Sequence, residues 1–308
     1  MSAPVRQRGV ALLTAVLIVA VAALLIAMIV DQGGVALART RNLMRAEQAD
    51  ALALGMEDWA FDLLRRDAAN DPGRDARSDL WAQPLPPTPV QGGQIAGRMV
   101  DQNGCFNLNN LVVAGQHVET ELRRFRRLLE VLELDPEISL AVVDWVDPDA
   151  QPELRGAEDT AYLGLRPAYR AANRPFAHAT ELRLVRGIDG AAWSRLAPHV
   201  CALPAPSALN VNTAGVPLLM ALDPRISEPI ARRLARDGVA QYSGLTEFES
   251  ELQALDLAAV DLSGVDVQSN YFLARADVEL DGLPFTYTSL LLREPGRLRV
   301  LARWRGSP

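Results

Sequence analysis

Acidic side chains gather in one stretch of the sequence: Asp144, Asp147 and Asp149, then Glu153, Glu158 and Asp159. Hard oxygen donors at that density suit a calcium ion, which takes six to eight oxygens in flexible geometry. Asp147 and Asp149 are two apart and can aim at one centre from a turn, and Pro148 and Pro152 stiffen the segment. The D-x-D-x-D-G…E order of an EF-hand is absent. On spacing alone, a solvated acidic loop is the plainer reading of the same residues. Catalytic constellations are poor. His117, His178 and His199 are scattered without metal-ligand spacing, and there is no G-x-S-x-G, Walker A or G-x-G-x-x-G segment. Each histidine is expected to be a core or surface residue, and the chain is not expected to be an enzyme. A membrane-tethered metallohydrolase would need a paired nucleophile or a histidine ligand that the sequence does not offer. Two cysteines, Cys105 and Cys201, allow one bridge at most and exclude a disulfide-dense or cysteine-rich zinc scaffold.

The elements that must carry these residues begin at a membrane. Val10 to Val30 contains no charge, Gly or Pro, and at about 1.5 Å per residue it spans roughly 30 Å, enough for a bilayer core. Arg6 and Arg8 precede it and Asp31 follows, which places the N-terminus in the cytoplasm. A cleaved secretory signal is the rival reading, but its apolar region would be shorter and end in a small-residue site. Helical character continues beyond the membrane, since Val35 to Asp67 has no Pro and only Gly55 as an interior breaker. The net charge is −7, which argues against nucleic acid as the main partner. Every basic residue is Arg, which reads as a composition bias because no single site could require it throughout.

Further along, Pro72, Pro84, Pro86, Pro87 and Pro89 mark Asn70 to Gln91 as an extended linker, and Gln94 to Asp101 reads as a short strand. Tyr271 to Leu280, Phe285 to Arg293 and Arg297 to Arg305 read as a three-stranded meander. They are separated by the turn dipeptides Asp281-Gly282 and Pro295-Gly296. In the last strand Leu298, Val300, Ala302 and Trp304 alternate against Arg297, Arg299, Leu301 and Arg303, which predicts one buried and one mostly wet face. Between the strand and the meander the chain reads as helical. Helices are predicted over Val118–Leu134, Ile138–Trp145, Thr180–Arg186, Ala191–Leu196, Val216–Leu222, Glu228–Asp237 and Thr246–Leu255. Ser139 and the Thr246/Glu249 pair are expected start signals. Phe106-Asn107-Leu108-Asn109-Asn110-Leu111 is echoed by Leu209-Asn210-Val211-Asn212-Thr213-Ala214. The asparagines are expected as caps opening two similar helical subdomains.

Two resemblances sharpen this picture. The basic stretch ending in Gly9, followed by Val10, Ala11, Leu12, Leu13 and Thr14, resembles a prepilin-type leader. That resemblance implies cleavage between Gly9 and Val10 by a prepilin peptidase and N-methylation of Val10. Most of that family has Glu at the fifth mature position. An unpaired carboxylate in a membrane is costly, and the resemblance implies that the acid neutralises the amine of the subunit ahead. Thr14 therefore points to a subunit with nothing ahead of it. A run of motifs in order, GCFNLNNL at Gly104–Leu111, DWVDPD at Asp144–Asp149, GAEDTAYL at Gly156–Leu163, ATELRLVRGI at Ala179–Ile188 and LNVNTA at Leu209–Ala214, resembles the minor pseudopilin K family of type II secretion.

This second resemblance implies an α+β pseudopilin fold, a long N-terminal transmembrane helix plus an antiparallel sheet, with a large inserted helical domain of SAM-like or helix-hairpin-helix-like subdomains. The expected division is a leader over 1–9, the helix over 10–69, linker and first sheet part over 70–112, insertion over 113–267 and terminal strands over 268–308. The implied partners are minor pseudopilins I and J, the major pseudopilin, the assembly platform and the prepilin peptidase. The implied place is the inner membrane with a periplasmic domain, at the tip of a pseudopilus. Structural calcium is implied too, with Asp147, Asp149, Glu158 and Asp159 as side-chain ligands. In an oxidising periplasm Cys105 and Cys201 are expected to bond, with two free buried thiols as the other reading. A membrane-tethered helix-hairpin-helix DNA binder is the competing function. Its phosphate-binding hairpin would fall at Asp223-Pro224-Arg225-Ile226-Ser227, where Pro224 lacks an N–H and Asp223 would repel phosphate.

Overall fold

The computed structural model describes residues 8–204 and 206–306. Most of the expected leader, residues 1–7, lies outside these. Helix α1 runs unbroken from Arg8 to Asn70, about 95 Å at 1.5 Å per residue. Its apolar first half is exposed, whereas Ala49, Met56, Ala60, Leu63 and Leu64 are buried. Their spacing of three, four and seven puts them on one face, and that face packs on a sheet. Pro72 and Gly73, the latter at φ 97°, end the helix.

The sheet has five antiparallel strands in chain order: β1 (Leu85–Val90), β2 (Gly93–Asp101), β3 (Tyr271–Leu280), β4 (Leu283–Glu294) and β5 (Arg297–Arg305). The expected meander is present, and Asp281 and Gly282 both adopt positive φ in its first turn, as a type I′ hairpin requires. Strand β1 was not expected; its residues read as a proline linker. It forms because it is the edge of the sheet, where a residue without an N–H costs no interior ladder bond. Gly97 lets α1 close on the sheet, since a Cβ there would lie 2.1 Å from the Met56 Cε.

Strand β5 departs from simple alternation. Leu290 pairs with Ala302 but Leu291 pairs with Val300, so Leu301 is bulged. A bulge reverses the facing of everything beyond it. Leu298 and Val300 therefore pack beneath α1, while Ala302 and Trp304 pack on the opposite face with Leu290 and Leu292. Arg303 and Arg305 turn towards α1 and pair with Glu57 and Asp50. The expected wet face is partly covered by the insertion.

Strands β2 and β3 are hydrogen-bonded neighbours, with Asp101 opposite Phe272. Everything between them thus occupies the place of a hairpin turn. Its core runs from Phe106 to Val267, so the insertion starts earlier than the expected 113. The first asparagine motif belongs inside it because Phe106–Asn107 pairs in parallel with Val200–Cys201. The helices are α2 (Glu119–Val131), α3 (Ile138–Val146), α4 (Asp159–Tyr162), α5 (Gly190–Leu196), α6 (Val216–Leu222), α7 (Glu228–Leu234) and α8 (Leu245–Ala254). The predicted helix at Thr180–Arg186 is a 3-10 helix over Ala179–Leu184. Ser139 is not a cap but a buried residue whose hydroxyl donates to the Pro136 carbonyl. At α8 it is Glu247, not Glu249, that reaches back, accepting from the Ser243 N–H at 2.8 Å.

The insertion is tied to the body at two places. Cys105 and Cys201 are joined by a disulfide with Cα atoms 5.9 Å apart, and Cys201 and Leu203 pack on Tyr271, Leu290 and Leu292. The second tie is polar. Arg293 of β4 reaches Asp67 at the end of α1 and Asp75. The Asn210 side chain donates to the Asp75 carbonyl at 3.0 Å and to the Ser269 hydroxyl at 2.7 Å. Thr213 donates to Asp101. One junction thus joins helix, sheet and insertion.

Candidate metal centre

Helix α3 ends at Val146 because Asp147 precedes Pro148, which forces an extended backbone. Asp147 accordingly sits at φ −68°, ψ 156°. Asp144 lies one turn earlier on the same face and is completely buried. Its carboxylate accepts from the Glu153 N–H at 3.1 Å, which folds the following loop back over the helix end. Gly156 is the point of closest approach. A Cβ there would lie 2.0 Å from Asp144 Oδ2, so no larger residue fits the turn.

This folding brings Asp147, Asp149 and Glu158 together, with one carboxylate oxygen of each within 4.8 Å of the others. Asp147 and Glu158 are each only 3% exposed, while Asp149 faces solvent. Asp147 Oδ2 is 3.3 Å from His117 Nε2. Asp147 Oδ1 and both oxygens of Glu158 are buried without any hydrogen-bond partner. Burial, with the neighbouring carboxylates adding to it, pushes the carboxyls of Glu158 and Asp144 above their ordinary values. Burial likewise raises Asp147, against the lowering effect of its bond to His117. Buried acceptors without donors are costly, and like charges this close oppose each other. A divalent cation held there would relieve both.

The fourth expected ligand is turned elsewhere. Asp159 Oδ1 accepts from the Ala171 N–H at 3.1 Å and Oδ2 lies 3.7 Å from Arg170, so it braces the loop. Asp144 was legible as part of the acidic stretch but not as the anchor of its loop, Gly156 only as a member of its motif, and His117 carried no signal because it reaches the cluster from 30 residues away. The other histidines do different work. His178 caps the 3-10 helix, and burial lowers the pKa of His199.

The turn expected to test the DNA-binding reading lies between α6 and α7. The Asp223 carboxylate accepts from the Arg225 N–H at 2.9 Å and from its guanidinium Nε at 2.8 Å. Those bonds hold the Asp223 carboxyl below its ordinary range. A fixed negative charge stands where a phosphate would have to sit, so this reading is not favoured.

A helix long and apolar enough to cross a bilayer, continued across an antiparallel sheet that carries a helical insertion, defines a pilin-like subunit of the pseudopilin type. The model for protein K of the type II secretion system matches residues 104–205. Type II secretion system protein K of Pseudomonas aeruginosa is 36% identical, over 97% of this chain and 93% of its own length. The protein of that name from Pectobacterium carotovorum is 34% identical, over 98% and 97%. A chain in the crystal structure of the GspK-GspI-GspJ complex of enterotoxigenic Escherichia coli superposes with a TM-score of 0.76 at 28% identity. That match covers 88% of this chain and 100% of the other. The chain belongs to the type II secretion system protein K family and is a minor pseudopilin.

Proposed function

We propose that this chain is the tip subunit of a type II secretion pseudopilus, anchored in the inner membrane with its folded domain in the periplasm. It would assemble there with minor pseudopilins I and J, help initiate the filament on the assembly platform and major pseudopilin, and so serve export of folded proteins. Its role is structural, not catalytic. The observation that carries the reading is Thr14. Its hydroxyl donates to the Val10 and Ala11 carbonyls of its own helix at 3.1 and 3.0 Å, so the fifth residue after Gly9 is satisfied without a neighbour and offers no charge to one. A filament position with a subunit ahead would call for an acid there to pair with that subunit's amine. The likeness to a chain of the GspK-GspI-GspJ complex supports the same assembly.

The same reading has a prepilin peptidase cutting between Gly9 and Val10, with the new amine methylated. It also has a structural calcium ion held by Asp147, Asp149 and Glu158, completed by main-chain oxygens or water, because calcium accepts an all-oxygen, partly solvated set. The deciding experiment is co-purification of the full chain, in detergent, with minor pseudopilins I and J of its own system. A stable ternary complex is expected, and failure with both partners would overturn the tip assignment. Mass spectrometry of the mature protein checks the processing: loss of residues 1–9 and gain of one methyl group.

A further inference from the structure

The asparagine echo becomes a duplicated scaffold in three dimensions. Asn107 accepts from the Asn109 N–H and Asn210 from the Asn212 N–H. The second asparagine of each pair is a clamp. Asn109 accepts from the Phe176 N–H and donates to its carbonyl, and Asn212 does both to Tyr242. One residue beyond each clamped aromatic, the Ala177 and Ser243 N–H groups donate to Glu181 and Glu247. Each copy then closes with a parallel strand pair, Phe106–Asn107 with Val200–Cys201 and Leu209–Asn210 with Val265–Asp266.

The copies differ in one place. The clamp closes over 67 residues in the first and 30 in the second. Most of the excess follows α3, where the first copy has residues 147–175 before its clamped aromatic. The second has only 235–241 after α7. The acidic cluster lies wholly in this extra segment, and among the described residues no second group of acidic, histidine or cysteine ligands converges closely enough to hold a metal ion. The second copy therefore completes clamp, glutamate cap and strand pair with no comparable cluster.

We infer that residues 147–175 are an insertion into the first of two copies of one module, and that calcium orders this insertion alone while both module scaffolds stand without it. The inference rests on the calcium reading above. The segment is attached to the first module by the Glu153 N–H to Asp144, by Arg186 to the Arg155 and Gly156 carbonyls, by His117 to Asp147 at 3.3 Å, and by Tyr162 against Trp145 at 5.3 Å.

Limited trypsin digestion of the full-length protein in detergent tests it, with and without chelator, alongside equilibrium dialysis for bound calcium. Arg155 and Arg170 are the cleavable sites in the segment, because Arg166 and Arg174 precede proline. Local opening predicts that chelation speeds cleavage after Arg155 and Arg170 at least about tenfold while Arg225, Arg232 and Arg233 of the second copy change less than about twofold. Asp149→Ala should behave as the chelated protein whether or not calcium is added. Bound calcium whose removal opens both copies equally, or leaves cleavage after Arg155 and Arg170 unchanged, would overturn the inference and leave the calcium reading standing. No bound calcium at all would remove both.

Discussion

Glu158 holds two buried carboxylate oxygens that no protein group satisfies, and Asp147 holds one. At residue scale these buried, unpartnered acceptors favour a ligand. Calcium at about a hundred times its dissociation constant should stabilise the folded protein by about 2.7 kcal/mol. Thermal melts should then rise by several degrees on adding calcium and lose that rise in Asp149→Ala; a chelator without effect would sink the metal assignment. Gly156→Ala tests the loop closure separately. Its Cβ would meet Asp144 Oδ2 at 2.0 Å, so about 1–3 kcal/mol of stability should be lost even in chelator. Urea midpoints measure it.

Between elements, the clamps and the polar junction set the terms. Asn212→Ala strands the buried N–H and carbonyl of Tyr242, and the cost should be about 3 kcal/mol in urea unfolding. At the junction, burial and then the charges of Asp75 and Asp79 push the Asp67 carboxyl up to about 7. Burial lifts Asp101 to about 6, against its bonds to Thr213 and Asn103, and raises Asp75 against Arg293. Arg74 faces the same ground through Asp79. The folded state thus holds more protons than the unfolded state between the ordinary value of 3.8 and about 7. Stability from this junction is accordingly present at acid pH and falls as pH rises through that window. The urea midpoint in chelator should be lower at pH 8 than at pH 5, and Asp67→Asn should narrow the gap. An unchanged gap would mean that Asp67 is ionised throughout.

For the whole molecule, the disulfide and the junction make one body of two folded parts. The bond spans 96 residues, a loop for which chain entropy allows on the order of 4–5 kcal/mol as an upper figure. Thiol counting on denatured, unreduced protein should find no reactive thiols, and reduction should lower the melting temperature. The exposed apolar half of α1 and the buried half belong to one continuous helix. Any pull on the membrane end is therefore transmitted to the sheet through the packed face and the ion pairs of Glu57 and Asp50.

Much of this architecture was legible in the order of residues. The membrane-length run, the hairpin dipeptides Asp281-Gly282 and Pro295-Gly296, most of the helices and the asparagine echo all depend on neighbours within a few positions, where periodicity and turn chemistry act. The cluster at Asp147, Asp149 and Glu158 was half legible, because spacing announces a loop of acids but not which of them converge. Tertiary contacts alone decided the rest. They made a strand of the Pro86–Pro89 segment by giving it one partner, reversed the facing of Ala302 and Trp304 through a single bulged leucine, and turned Asp159 away to Ala171. They also set the buried carboxyls at the junction. Each of these outcomes is fixed by groups distant in sequence, whose burial and pairing exist only once the chain has closed on itself.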